Sequence, residues 1–313
     1  MKNYTVQPYE PQYYDLWNAF VCKAKNATFL FERDFMEYHS HRFEDCSLLV
    51  FDNQKLMAVM PANRVGDEVF SHQGLTYGGL VLPPGATPSI VFDLFDAVLR
   101  HLKSKGFRRI EIKPILSFYH QEPAFESDCF LVAHGAKLYR RDCNLAVDFN
   151  GPDLLSKSKK KHYRRVSSAG IEIVESRDFG PFWKEVLGPK LASKYGAKPV
   201  HSLDEITLLA KRFPHNITQY DAYYDGRIVA GITLFEFENG IKSQYGATTI
   251  EGEKWRALDF LFITLIDKFK ERMAFFDMGT VMATDGQINT GLMKQKEELG
   301  CSVYHQDFYS LAL

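Results

Sequence analysis

Leu258-Asp259-Phe260-Leu261-Phe262-Ile263-Thr264-Leu265-Ile266-Asp267-Lys268-Phe269, followed after five residues by Phe275-Phe276-Asp277-Met278-Gly279, decides the fold. Leu258, Leu261, Phe262, Leu265, Ile266 and Phe269 fall at i, i+3, i+4, i+7, i+8 and i+11, the stripe of one amphipathic helix. The aromatic run behind it reads as a short buried strand. The same succession stands 166 residues earlier. There a helix follows Pro88, with Ile90, Val91, Leu94, Phe95, Val98, Leu99 and Leu102 on its inner side, and Arg109-Ile110-Glu111-Ile112-Lys113 is the strand. Few residues are identical between the two copies, so what repeats is the pattern.

Working outward, each helix is preceded by the same elements. A hairpin at 46–60 turns at Asp52-Asn53-Gln54, and one at 220–235 turns at Asp225-Gly226, a favoured hairpin dipeptide. A further strand follows each, at 68–71 and 241–245. Hairpin, strand, helix, strand and a final strand make an α/β (α+β) unit with a mixed sheet. The expectation is two such domains, 1–150 and 151–313. Near the midpoint, residues 157–165 read Lys-Ser-Lys-Lys-Lys-His-Tyr-Arg-Arg, six positive charges in nine residues. With Gly151-Pro152-Asp153 as its entry and Gly170 as its stop, a basic helix is predicted over 153–169, carrying Leu155, His162, Val166 and Ala169 on one face.

The 313 residues carry net charge −1, with 45% hydrophobic and 25% charged residues, which excludes a disordered chain and accommodates two cores. The longest apolar-rich run, 228–235, is far short of the roughly 20 residues of a membrane span. Polar and aromatic residues follow Met1 where a signal peptide would have its apolar segment, so a cytoplasmic protein is expected. Five scattered cysteines without a C-x-x-C spacing exclude a disulfide framework or zinc module. His39-Ser40-His41 has no neighbours that complete a metal site, so no metal is expected. His72, in a glycine-rich segment, reads as a satisfied structural histidine. No G-x-S-x-G elbow or Cys/His signature is present.

Four stretches carry a resemblance. These are Ser71-His72-Gln73-Gly74-Leu75-Thr76-Tyr77-Gly78-Gly79-Leu80; the basic helix with Gly170-Ile171-Glu172-Ile173-Val174; Phe276-Asp277-Met278-Gly279; and Asn289-Thr290-Gly291-Leu292-Met293-Lys294-Gln295-Lys296-Glu297-Glu298-Leu299-Gly300. In this order they resemble the Fem-type (FemABX-like) peptidyltransferases and the BioF2-like acetyltransferases, which use the GNAT acyltransferase fold twice. Lys296 falls on the lysine of the family's closing phenylalanine-lysine pair, with Gln295 in place of the aromatic. Two departures stand out. Residues 179–213 are interrupted by Gly188-Pro189 and Lys198-Pro199 and carry no long helical arm of the kind found in members that use aminoacyl-tRNA. The segment 251–256, where simple GNAT enzymes hold the coenzyme A pyrophosphate in a glycine-rich loop, has one glycine and two acids, leaving Lys254 and Arg256 to grip phosphate.

The resemblance implies an N-acyltransferase that moves an acyl or aminoacyl group from acyl-CoA, or from aminoacyl-tRNA, to an amine of a cell-envelope (peptidoglycan) precursor or other small acceptor. It puts the site in the cleft between the domains, with Lys296, Asp277 and Tyr245 near the chemistry. Lys296 would stabilise an oxyanion or bind phosphate, against the alternative of a solvated lysine on a charged helix. Asp277 would orient the amine or act as base, against capping the loop that follows it. Tyr245 would protonate a leaving group, against filling the core; Asn289 would touch substrate, against forming a turn. Lys160, Lys161, Arg164 and Arg165 would hold the phosphates of a nucleotide-linked substrate, coenzyme A or RNA, against forming a solvated face. The rival reading is a non-catalytic nucleotide- or RNA-binding module on a degenerate duplicated fold. Near-neutral charge and the lack of aromatic stacking motifs speak against that rival.

Overall fold

A computed structural model describes residues 4–283 and 285–313, with Tyr195 through its backbone alone. The first half runs β1 (Thr5–Pro8), α1 (Tyr14–Val21), α2 (Arg33–Met36), β2 (Glu44–Asp45), β3 (Leu48–Asp52), β4 (Lys55–Met60), β5 (Asn63–Val65), β6 (Glu68–Phe70), α3 (Pro88–Ser104), β7 (Arg109–Ile112), α4 (Glu126–Ala133) and β8 (Lys137–Asp148). The second runs α5 (Lys157–Val166), β9 (Glu172–Ser176), α6 (Gly188–Tyr195), α7 (Leu203–Arg212), β10 (Ile217–Tyr224), β11 (Arg227–Glu236), β12 (Gly240–Thr248), α8 (Ile250–Trp255), α9 (Ala257–Phe269), β13 (Phe275–Thr280), α10 (Thr290–Glu298) and β14 (Ser302–Ala312). These elements form two compact units. One runs to Asp142 and takes in His305–Leu313; the other is Cys143–Tyr304.

Both units contain the repeated pattern. In the second, β12 and β13 pair in parallel, Gly240 opposite Phe275 and Lys242 opposite Asp277. A parallel pair needs a crossover, and α8 and α9 supply it. In the first, β6 and β7 pair in parallel, Glu68 opposite Arg109 and Phe70 opposite Glu111, with α3 between them. The α9 stripe is buried as its spacing predicts: Leu261, Leu265 and Phe269 lie in the core with Ile232, Leu234, Ile241 and Phe276, and Leu258 at its margin. Burial of each such side chain is worth about 1.5–3 kcal/mol, so packing and not propensity holds this helix. Val91, Leu94, Phe95, Val98 and Leu102 of α3 make the equivalent core of the first unit.

In each unit the strand on the far side of the parallel pair comes from the opposite half of the sequence. β13 pairs antiparallel with β8, Phe275 opposite Asp148 and Asp277 opposite Ala146. β7 pairs antiparallel with β14, Ile112 opposite Tyr309 and Arg109 opposite Ala312. β8 and β14 are 12 and 11 residues long, and each begins in one unit and ends in the other.

The basic helix is shorter than the predicted 153–169. It spans Lys157–Val166, with Ser156 as N-cap accepting from Lys159 N at 3.2 Å. Asp153 does not open the helix, because its Oδ1 accepts from Leu155 N at 2.9 Å and forms a turn of its own. The buried face consists of Lys159, His162 and Val166; Leu155 precedes the helix and Ala169 follows it.

Candidate functional site

Beyond Lys242 and Asp277 the parallel ladder of the second unit stops, although β12 continues to Thr248 and β13 to Thr280. β12 bulges at this point: Leu234 faces Ser243 and Thr233 faces Tyr245, so Gln244 is the extra residue. Bulges of this kind open a sheet and re-aim side chains. Gln244 Oε1 is buried there without a hydrogen-bond partner.

Two lysines and one carboxylate converge where the ladder ends. Asp277 is fully buried. Its Oδ2 accepts from Lys242 Nζ at 2.7 Å, and its Oδ1 accepts from Asn144 Nδ2 and from Gly279 N, both at 2.7 Å. The bond to an N–H two residues on is an Asx turn, so the carboxylate fixes the last residues of β13. Lys296, on α10, reaches that same strand end: its Nζ donates to Gly279 O and Thr280 O, each at 2.9 Å. Lys296 is buried, with 7% of its surface exposed. Burial lowers its pKa to about 8, the field of Asp277 opposing the shift and that of Lys242 adding to it. Two carbonyls occupy two of the three donors of the ammonium and leave one.

Tyr245 is not part of this cluster through any hydrogen bond the structure gives it. Its hydroxyl pairs with His201 Nδ1 at 2.6 Å and accepts from His201 N at 3.1 Å, and its ring meets Trp183 edge-on at 5.2 Å. Burial pushes the phenol up to about 12. Asn289 is the N-cap of α10, accepting from Leu292 N at 3.0 Å, the turn-forming alternative of the sequence reading.

The expected phosphate loop is instead a helix. Thr249 caps α8 by accepting from Gly252 N at 3.0 Å, and Arg256 follows in a left-handed conformation. Lys254 and Arg256 are exposed, while Glu253, in the first turn, pairs with Lys190. Acids in the first turn stabilise the helix dipole and oppose an anion at the same end.

The basic helix divides its charges between structure and solvent. Lys159 is buried and pairs with Asp259, whose other oxygen accepts from Gln295 at 2.7 Å. Lys160 pairs with Asp153 at 2.6 Å, and Arg165 lies 3.1 Å from His162 Nδ1. Burial, with the charges of Arg165 and Arg256, lowers the His162 pKa. Lys160 and Arg164 line a cleft of about 270 Å³ with Lys270 and with an apolar floor that includes Phe149, Leu155, Ile263 and Leu299. Lys161 and Arg165 are exposed outside its lining.

Sequence reasoning missed Lys242, Asn144, Lys159 and His201. Lys159 carried a signal, since it stands three and seven residues before His162 and Val166 on the apolar face. Lys242 and Asn144 lie on neighbouring strands whose pairing no local pattern announces.

Two mixed units, each built on a parallel strand pair with a helical crossover, the second pair parting beyond a bulge, are the tandem GNAT-like α/β fold. Among solved structures, FemX superposes with a TM-score of 0.71 over 99% of this chain and 97% of its own, at 11% identity. L-PGS from Bacillus licheniformis gives 0.60 over 96% of this chain and 91% of its own, at 15% identity. A tandem GNAT protein from the clavulanic acid biosynthesis pathway gives 0.53 over 99% and 98%, at 11% identity. No protein-family model matches the sequence. No curated protein sequence matches it either.

Proposed function

We propose that the chain is an N-acyltransferase whose chemistry takes place in the second unit, where β12 and β13 part. The observation that carries this reading is Lys296, a buried lysine pinned by two carbonyls at the mouth of that gap, on the GNAT-like fold. The amine nitrogen of an acceptor forms a bond to the donor carbonyl carbon, the bond to the donor's sulfur or oxygen breaks, and the leaving group takes up a proton. The remaining N–H of Lys296 would stabilise the oxyanion or hold a substrate phosphate. Asp277 and Lys242 are positioning residues: they fix the end of β13, whose carbonyls aim Lys296. An acceptor of the cell-envelope precursor type agrees with the sequence resemblance, and the cations Lys160 and Arg164 could meet its phosphates. Tyr245, held by His201, stands further along β12 as a group that orients substrate.

The donor divides into two readings. Acyl-CoA fits the fold, whereas the capped, acid-bearing α8 in place of a glycine-rich loop favours a donor held elsewhere, such as aminoacyl-tRNA. The α8 observation also supports the rival non-catalytic binding module. A thermal-shift series with coenzyme A, acetyl-coenzyme A and a UDP-linked peptidoglycan precursor separates these, since a ligand at 100 times its Kd adds about 2.7 kcal/mol. Stabilisation by acetyl-coenzyme A names the donor; stabilisation by the nucleotide precursor alone turns the search to aminoacyl-tRNA. Silence, with tight and steeply salt-dependent oligonucleotide binding, favours the binding module. With an accepted substrate, Lys296→Ala is expected to lower kcat by about 10²–10³, the loss typical of one oxyanion donor. Full turnover in that variant overturns the assignment.

A further inference from the structure

The helix that carries Lys296 has little apolar surface to hold it in place. Of the nine described residues of α10 only Lys296 is buried, and Leu292 and Met293 rest partly buried against the core. A helix with a full apolar stripe is fixed in rotation by packing, and α10 lacks that stripe.

Polar contacts hold its last turn instead. Gln295 Nε2 donates to Asp259 Oδ1, on α9, at 2.7 Å. Asp259 is 6% exposed, and its other oxygen takes the ammonium of Lys159, on α5, which is 4% exposed. That ammonium also lies 3.5 Å from Glu298 Oε2. The backbone carbonyl of Glu298 accepts from Ser156 N, the N-cap of α5, at 3.0 Å. Three helices therefore meet at one buried ion pair. Gln295 and Lys296, neighbours on α10, are each tied down, the first to α9 and the second to the end of β13.

A buried ion pair adds little stability, because taking both charges out of water offsets most of their attraction. It does hold a single arrangement, since a slip or turn of either helix would leave a charge buried without its partner. Here the arrangement is that of the turn bearing Lys296. A lysine side chain is a flexible four-carbon stem, so aiming its ammonium takes an anchor at each end. Gly279 O and Thr280 O hold Nζ, and Gln295 fixes the backbone beside it.

We propose that Gln295, Asp259 and Lys159 are positioning residues for Lys296, locking the last turn of α10 so that the ammonium meets Gly279 O and Thr280 O with one donor left for substrate. This rests on the acyltransferase reading of Lys296 and extends it from the ammonium to the helix that carries it. Asp277 and Lys242 set the far end of the side chain, and the ion pair between α5 and α9 sets the near end.

The test follows the Lys296 ammonium by NMR through a pH titration of the full chain without substrate. In the natural chain it is expected to titrate near 8. Gln295→Met keeps the length of the side chain, removes the bond to Asp259 and leaves the Lys159–Asp259 pair whole, so the fold is expected to survive. Its Lys296 should titrate higher, by about 1, toward the 10.5 of an exposed lysine, because a loosened turn lets water reach the ammonium. Glu298→Ala, which removes the second carboxylate from Lys159, should move it the same way by less. On an accepted substrate, Gln295→Met is expected to lower kcat about tenfold with KM nearly unchanged. Added to Lys296→Ala it should cost nothing further, since its effect passes through Lys296. The proposal is overturned if Lys296 titrates in Gln295→Met as it does in the natural chain, or if the loss in kcat is as large in the Lys296→Ala background as alone. The titration needs no substrate, so its outcome is distinguishable from failure of the acyltransferase reading.

Discussion

Lys296 shows how one side chain links sequence, burial and chemistry. The lysine was visible as a candidate, but only the fold reveals that it is buried and tied to the end of β13 that Asp277 organises. Its folded pKa of about 8 lies below the 10.5 of an exposed lysine, so between these values the folded state binds fewer protons than the unfolded state. Stability is therefore expected to rise with pH from about 8 toward 10.5. Lys296→Met, which keeps the volume and removes the charge, should flatten that rise in chemical-denaturation profiles. A variant with the same slope as the natural chain would show that the ammonium is not buried at a cost. Asp221 has the opposite sign. Burial raises its pKa from 3.8 to about 6, with a bond from Gln219 at 2.7 Å opposing the shift. The folded state holds this proton more tightly, so stability should fall as pH rises from about 4 to about 6. Asp221→Asn should remove that fall, a difference on the order of 2 kcal/mol measured across this window.

At the scale of the element, pattern and packing sometimes disagree, and packing prevails. The α9 stripe and the α3 face were legible residue by residue, because a buried helix face leaves its period in the sequence. The basic helix was legible as a helix but not in its ends, where Asp153 ties up Leu155 N in a turn of its own and Ser156 caps the helix through Lys159 N. The segment 251–256 was expected as a phosphate-holding loop from the resemblance alone, yet all of it but Arg256 folds within α8 against β11. Gly252 sits at its centre. Propensity alone favours alanine there by about 1 kcal/mol. A Cβ at this position, however, would lie 2.2 Å from the carbonyl oxygen of Val229 and 2.3 Å from Thr248 Oγ1. Gly252→Ala is therefore expected to destabilise by about 1–3 kcal/mol in urea unfolding. A gain in stability would mean that α8 can lift away from β11.

For the whole molecule, the exchange of the strands beside the parallel pairs is the feature that no local reading reaches. Removing residues 305–313 should strip the first unit of the strand beside β7, so Ile110 and Ile112 should lose amide protection in hydrogen exchange. Protection retained at both positions would mean that β7 is held without β14. The candidate site follows the same logic, since Asp277, Lys242, Asn144 and Lys296 come from β13, β12, β8 and α10. Asp277 and Lys296 were found through their order in the chain, while Lys242 and Asn144 emerged only when three strands were laid side by side. Sequence by itself determined the duplicated α/β pattern, its two buried helices, its hairpins and the basic helix, because each is written in residues close enough to share one period or one turn. Tertiary structure alone decided which strand lies beside each parallel pair, which lysines are buried, and that His72 Nδ1 is left without a partner. Those outcomes depend on contacts between residues far apart in the chain, and a local pattern carries no record of its distant partners.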